Sequence, residues 1–154
     1  MQMLLPFMMT AVAVAATLLP PVKQSESVLV RAVIDGGTID VAQVGRVRLL
    51  GIEIPALVAE RAHERLAGLL LDRWVRLETE TAAAAQRHRS AYVVTEDGVC
   101  ANTVLVREGL ARVAARAPGA RLEELRQAEL DAQRLEKGMW GYTRRPQPQK
   151  RRSS

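Results

Sequence analysis

The sequence predicts an α+β protein, a five-stranded β-barrel capped by about three helices. Three observations predict it. Short valine-rich stretches of strand character cluster in the first half, separated by Gly-Gly, glycine and Asp-Gly turns. One segment of helical periodicity precedes the fourth strand, and others follow the fifth. The 154 residues suffice for one compact domain with appendages.

Ser27–Asp35 (SVLVRAVID) alternates and is rich in valine, so it reads as a strand. Gly36-Gly37 turns the chain into a second strand, Thr38–Gln43, and the pair forms a hairpin. Arg46–Ile54 (RVRLLGIEI) continues the meander as a third strand interrupted by Gly51. Leu57–Asp72 is expected to be helical. Val58, Ala62, Leu66, Leu69 and Leu70 share one face, and Glu60, Arg61, Glu64 and Arg65 lie opposite. Trp74–Glu80 is a fourth strand, and Ala82–Arg89 a polar, alanine-rich connection. Ser90–Thr95 is a fifth strand ending at Glu96-Asp97-Gly98. Asn102 is expected to cap a short helix that stops at Gly109. Arg121–Lys137 is the last helix, with Leu122, Leu125, Ala128, Ala132 and Leu135 inward and Gly138 as its stop. An OB-fold fits this order.

Both ends read as appendages. Residues 1–22 carry no charged side chain, and their apolar run ends at Pro20-Pro21, which predicts a signal peptide or, if uncleaved, a membrane anchor. The expected location is therefore exported (periplasmic or secreted) or membrane-anchored. The expected domain spans 27–142. Residues 143–154 are expected to be a disordered basic tail. The formal charge is +5, yet Arg144, Arg145, Lys150, Arg151 and Arg152 account for all of it, leaving 17 basic against 17 acidic side chains in residues 1–143. Those five residues are the expected polyanion-binding set, directed at nucleic acid, another polyanion or lipid headgroups. A domain wrapped in positive surface is excluded. Five aromatic residues, Phe7, Trp74, Tyr92, Trp140 and Tyr142, are too few for a base-stacking platform. The single cysteine, Cys100, excludes an internal disulfide.

Val33-Ile-Asp-Gly-Gly-Thr-Ile-Asp-Val41 and Arg46-Val-Arg-Leu-Leu-Gly-Ile-Glu-Ile-Pro55 resemble the VxDGDT…RLxGIDTPE region of the thermonuclease (staphylococcal nuclease-like) family. The likeness continues through Ser90-Ala-Tyr-Val93, Asp97-Gly98, Asn102 to Ala111 and Gly138-Met-Trp-Gly141, covering about residues 28–142. It implies an OB-fold and, in active members, Ca²⁺-dependent hydrolysis of DNA and RNA phosphodiesters. A hard cation takes six to eight oxygen ligands, arginines stabilise the transition state and a glutamate activates water.

Carried over residue by residue, the resemblance keeps only part of that machinery. The first aspartate of DGDT is Asp35 and the threonine is Thr38, but the second aspartate, a metal ligand, is Gly37. The arginine of RLxG is Arg48. The aspartate of DTPE is Glu53, its threonine is Ile54, and its glutamate, the candidate base, is Ala56. The arginine of a later YGR segment falls on His88, its tyrosine near Gln86, and two nucleotide-covering tyrosines on Ala115 and Ala117. The family-aligned catalytic positions are thus Arg48 and His88, and the metal positions Asp35 and Glu53. The expected cofactor is none, or Ca²⁺ if the chain is active.

Plainer roles stand beside these. Asp35 before Gly-Gly suits a turn aspartate. Arg48 either pairs with Glu53 or keeps a phosphate contact. His88 lies in a polar loop as a solvated side chain, and His63 lacks HExxH spacing and belongs to the surface. Cys100 is expected to be a packed thiol, and Trp74, Tyr92 and Trp140 are expected in the core. Two functions follow. One is a catalytically impaired binding or interaction module with an unidentified protein or polyanion partner. The other is a weak Ca²⁺-dependent nuclease using Asp35, Arg48, Glu53 and a compensating carboxylate such as Asp40.

Overall fold

Residues 22–80, 89–117 and 119–142 are described by the computed structural model of the chain. The expected export segment, the 82–88 connection with His88, and the basic tail lie outside the described residues.

The strands are β1 (Val22–Gln24), β2 (Val28–Asp35), β3 (Thr38–Val41), β4 (Gly45–Leu49), β5 (Ile52–Glu53), β6 (Trp74–Glu80), β7 (Ser90–Thr95) and β8 (Arg112–Val113). The helices are α1 (Ala59–Leu70), α2 (Ala101–Arg107), α3 (Leu122–Arg134) and α4 (Met139–Tyr142). Strands β6, β2, β3, β4 and β7 form a closed barrel, because β7 pairs both with β4, in parallel, and with β6, antiparallel. This is the five-stranded barrel with helical caps that the alternation predicts, an OB-fold. β1 extends the wall along β6, matching Lys23 with Thr79.

Inside the barrel, Val30, Ile39, Val41, Val47, Leu49, Val75 and Val93 are buried with Tyr92. Val58, just before α1, and Ala62, Leu66 and Leu70 of α1 are buried in this core, as are Leu125 and Ala128 of α3. The expected third strand divides at Gly51, whose φ of 77° breaks the ladder. A side chain there would also press on Leu125 Cδ1 at 3.1 Å and Tyr92 Oη at 3.3 Å.

Several expectations are corrected. The second strand stops at Val41 rather than Gln43, because Gln43 turns at a φ of 65°. Asn102 does not cap α2; Cys100 holds the N-cap position without a side-chain bond. Instead Asn102 is fully buried within the helix. Its Oδ1 accepts the Val93 N–H at 3.0 Å, and its Nδ2 donates to Leu50 O at 2.8 Å and Ala91 O at 3.4 Å. The amide thereby ties α2 to the strands beneath it. Leu135 lies beyond the end of α3 and is 58% exposed, and Trp74 is 52% exposed. Tyr92 is buried as expected, and Trp140 packs partly buried against the core.

Candidate functional site: a cleft at the β2–β3 turn

The β2–β3 turn is built locally by Asp35, whose Oδ1 accepts the Gly37 N–H at 2.8 Å. This is the turn-aspartate geometry expected for Asp before Gly-Gly. Gly36 lies against α1, where a Cβ would meet Ala62 Cβ at 2.8 Å, so only glycine lets the turn and helix approach this closely. Gly37 O then accepts Leu49 N–H at 2.8 Å, drawing the turn onto the end of β4. In the β3–β4 register, Thr38 stands opposite Arg48.

Across from this turn, β5 and β8 form a two-stranded ladder in which Glu53 faces Arg112. Two bonds hold β8 in place: Ala114 N–H donates to Gly51 O at 3.0 Å, and Val113 N–H to Glu129 Oε1 of α3 at 2.9 Å. The result is a cavity of about 680 Å³ whose wall includes Asp35, Gly37, Thr38, Arg48, Glu53 and Arg112. The structure thus gathers three of the sequence-predicted residues, Asp35, Arg48 and Glu53, at one cleft.

Their partners differ from expectation. Arg112 Nε lies 3.1 Å from Glu53 Oε2, so Glu53 pairs with Arg112 and not with Arg48. Arg48 makes no ion pair among the described residues. Asp40, the supposed compensating carboxylate, is not part of the cleft wall; it pairs with Arg31 at 3.1 Å. Arg112 is the site residue that sequence reasoning missed. Its only signal is its place one residue beyond Gly109-Leu-Ala111, because a two-residue strand has no legible alternation.

The donors present do not fit a hard divalent cation. Such an ion needs six to eight oxygens. The cleft supplies two carboxylates, one engaged by the Gly37 amide and the other by Arg112. Gly37 brings no side chain to the cleft. Among the described residues no group of three or more His, Cys, Asp or Glu side chains could hold a metal ion.

Elsewhere, His63 is exposed, with its Nε2 3.1 Å from Val33 O. Cys100 is 5% exposed, and burial pushes its thiol pKa up, away from the thiolate a nucleophile requires. Arg121 joins Glu78 and Glu124, both at 2.7 Å. The bond to Glu78, chiefly, holds its guanidinium above the usual arginine range. This network fixes the start of α3 against β6.

A closed five-stranded barrel with helical caps defines an OB-fold, with a candidate site in the cleft beside its first hairpin. Residues 46–142 match the family described as staphylococcal nuclease homologue, and the chain belongs to that family. No curated protein matches the chain.

Proposed function

We propose that this chain is a catalytically impaired member of the staphylococcal nuclease family that serves as a binding or interaction module outside the cytoplasm. The observation that carries the reading is the Glu53–Arg112 pair. Glu53 is the family-aligned ligand carboxylate, and here a guanidinium engages it. Gly37 and Ala56 stand where a second ligand and the candidate base belong, so the cleft lacks the groups that would assemble a cation and activate water. The basic residues Arg144, Arg145, Lys150, Arg151 and Arg152 supply a second, salt-sensitive contact with a polyanion. Residues 1–22 supply the export signal or anchor.

The test incubates the full chain, with and without the tail, with plasmid and denatured DNA in Ca²⁺ or chelator. The expected result is no cleavage, with polyanion retention that falls on tail deletion and with added salt. Chelator-sensitive cleavage that disappears in Arg48→Ala would overturn the reading in favour of a weak Ca²⁺-dependent nuclease.

A further inference from the structure

We infer that a groove between α1 and the turn joining α3 to α4 docks an acidic protein segment, taking one carboxylate side chain between Arg61 and Lys137. The inference rests on the interaction-module reading above and gives that module its protein-facing surface. The groove shares no wall residue with the cleft. Arg61, Glu64 and Arg65 line it from α1, and Lys137 and Gly138 from the turn, around about 560 Å³. A smaller cavity of about 160 Å³ continues it past Arg61 and Gly138 to Tyr142. Its base is set by backbone packing. Met139 N–H donates to Gly109 O at 2.9 Å, and a Cβ at Gly138 would overlap that same oxygen. Glycine at 138 lets the turn press onto the end of α2, which fixes where the neighbouring Lys137 stands.

Charge decides what the groove accepts. Arg65 is already engaged, with its Nε 2.7 Å from Glu108 Oε2. Arg61 and Lys137, both exposed, make no ion pair among the described residues, and neither does Glu64. Arg61 and Arg65 stand four residues apart on one helix face, a like-charge spacing that an anion beside Arg61 relieves. Two free cations against one free carboxylate leave a single positive charge in the groove. That balance matches the one negative charge of a Glu or Asp side chain, which a guanidinium can grip by two bonds. A run of phosphates fits poorly, because Glu64, Glu108 and Glu136 line the same surface and would repel it. A small metabolite also fits poorly. The charged walls are exposed, unlike the mostly apolar sites that enclose such ligands. Arginine and tyrosine are instead enriched where proteins meet, and Tyr142 at the far end is 47% exposed.

The experiment titrates the full chain with the peptide acetyl-Gly-Glu-Gly-amide and, separately, with its glutamine counterpart. Inorganic phosphate and a single-stranded oligonucleotide form two further arms. The amide signals of Arg61, Lys137 and Gly138 are followed by heteronuclear NMR, with Gly37 reporting the cleft. Saturable shifts at the three groove amides are expected with the glutamate peptide alone, weakening as salt is added. Arg61→Gln or Lys137→Gln should weaken binding about threefold or more, the scale of one exposed ion pair. Glu64→Gln removes the free carboxylate and should tighten binding about twofold. Arg46→Gln, on the barrel wall, should leave it unchanged. All four positions are exposed, so the spectrum away from each substitution should keep the parent pattern.

Four results would each overturn the inference: no saturable shift at the groove amides, equal shifts from the glutamine peptide, tighter binding there by phosphate or oligonucleotide, or weaker binding in Glu64→Gln. The same samples are assayed for cleavage of denatured DNA. Cleavage refutes catalytic impairment whatever the groove binds, whereas failed peptide binding in a non-cleaving protein refutes only the docking groove.

Discussion

Replacing Asn102 tests whether α2 is joined to the barrel by the polar contacts of one buried amide. Asn102→Ala removes the acceptor for Val93 N–H and the donor to Leu50 O, at 3.0 and 2.8 Å. The third partner, Ala91 O, also accepts Leu50 N–H at 2.9 Å, so it keeps a bond. Two backbone groups, one buried and one part-buried, therefore lose their partner, each costing about 1–3 kcal/mol, for a total of about 2–6 kcal/mol. Against a typical domain stability of about 5–15 kcal/mol, that is a large fraction. Urea unfolding followed by circular dichroism should show a lower midpoint at unchanged slope. Asn102→Leu preserves most of the volume and should lose a comparable amount, because the same two groups are stranded. Leu130→Ala, at a position 58% exposed, should stay within about 0.5 kcal/mol of the parent. If Asn102→Leu were as stable as the parent, the polar account of this junction would be refuted.

Other outcomes follow from the same structure. Burial, followed by the negative charge of Glu80, pushes the Tyr92 pKa from 10.0 up to about 12. Its neutral form therefore contributes stability that is complete below about pH 10 and is lost as pH rises towards 12, of order 2 kcal/mol. Tyr92→Phe should flatten that part of an alkaline unfolding profile. Cys100 should react with a thiol reagent only as fast as the fold opens, so labelling should accelerate in parallel with urea-induced unfolding. A Cβ at Gly37 would meet only Ile54 Cγ1 at 3.3 Å and Asp35 Oδ1 at 3.8 Å, so an aspartate there is sterically tolerable. The variant Gly37→Asp/Arg112→Ala should therefore gain a Ca²⁺-dependent rise in melting temperature, worth about 1.4 kcal/mol at ten times the dissociation constant. The parent chain should show none.

The barrel was legible because its signals are local. Trp74–Glu80 begins with an alternating pattern, Ser90–Thr95 is a short apolar run closed by Glu96-Asp97-Gly98, and Gly36-Gly37 marks the first hairpin. Asn102 misled because an asparagine before a short helix has the chemistry of a cap; only the tertiary structure shows strands beneath it whose backbone it satisfies. Trp74 was misread for a related reason. Period-2 alternation separates two faces of a strand but does not say which is inward, and an aromatic at a strand end can take the outer one. At the site, Asp35, Arg48 and Glu53 were found through blocks of residues that match in order. Arg112 was not, because its importance arises from a ladder between β5 and β8, whose strands are 59 positions apart at the pair itself.

That long-range pair changes how the missing carboxylates should be understood. In a cleft that works through a cation, carboxylates at positions 37, 53 and 56 hold the ion and activate water, and an arginine against Glu53 competes with the metal. Gly37 and Ala56 leave two of those positions without a carboxylate. Glu53 alone retains a use, as the partner that orients Arg112. Gly37, Ala56 and the Glu53–Arg112 pair are therefore not three independent defects. Under the proposed impaired function they form one consistent change, in which the positive charge beside Glu53 belongs to the chain itself.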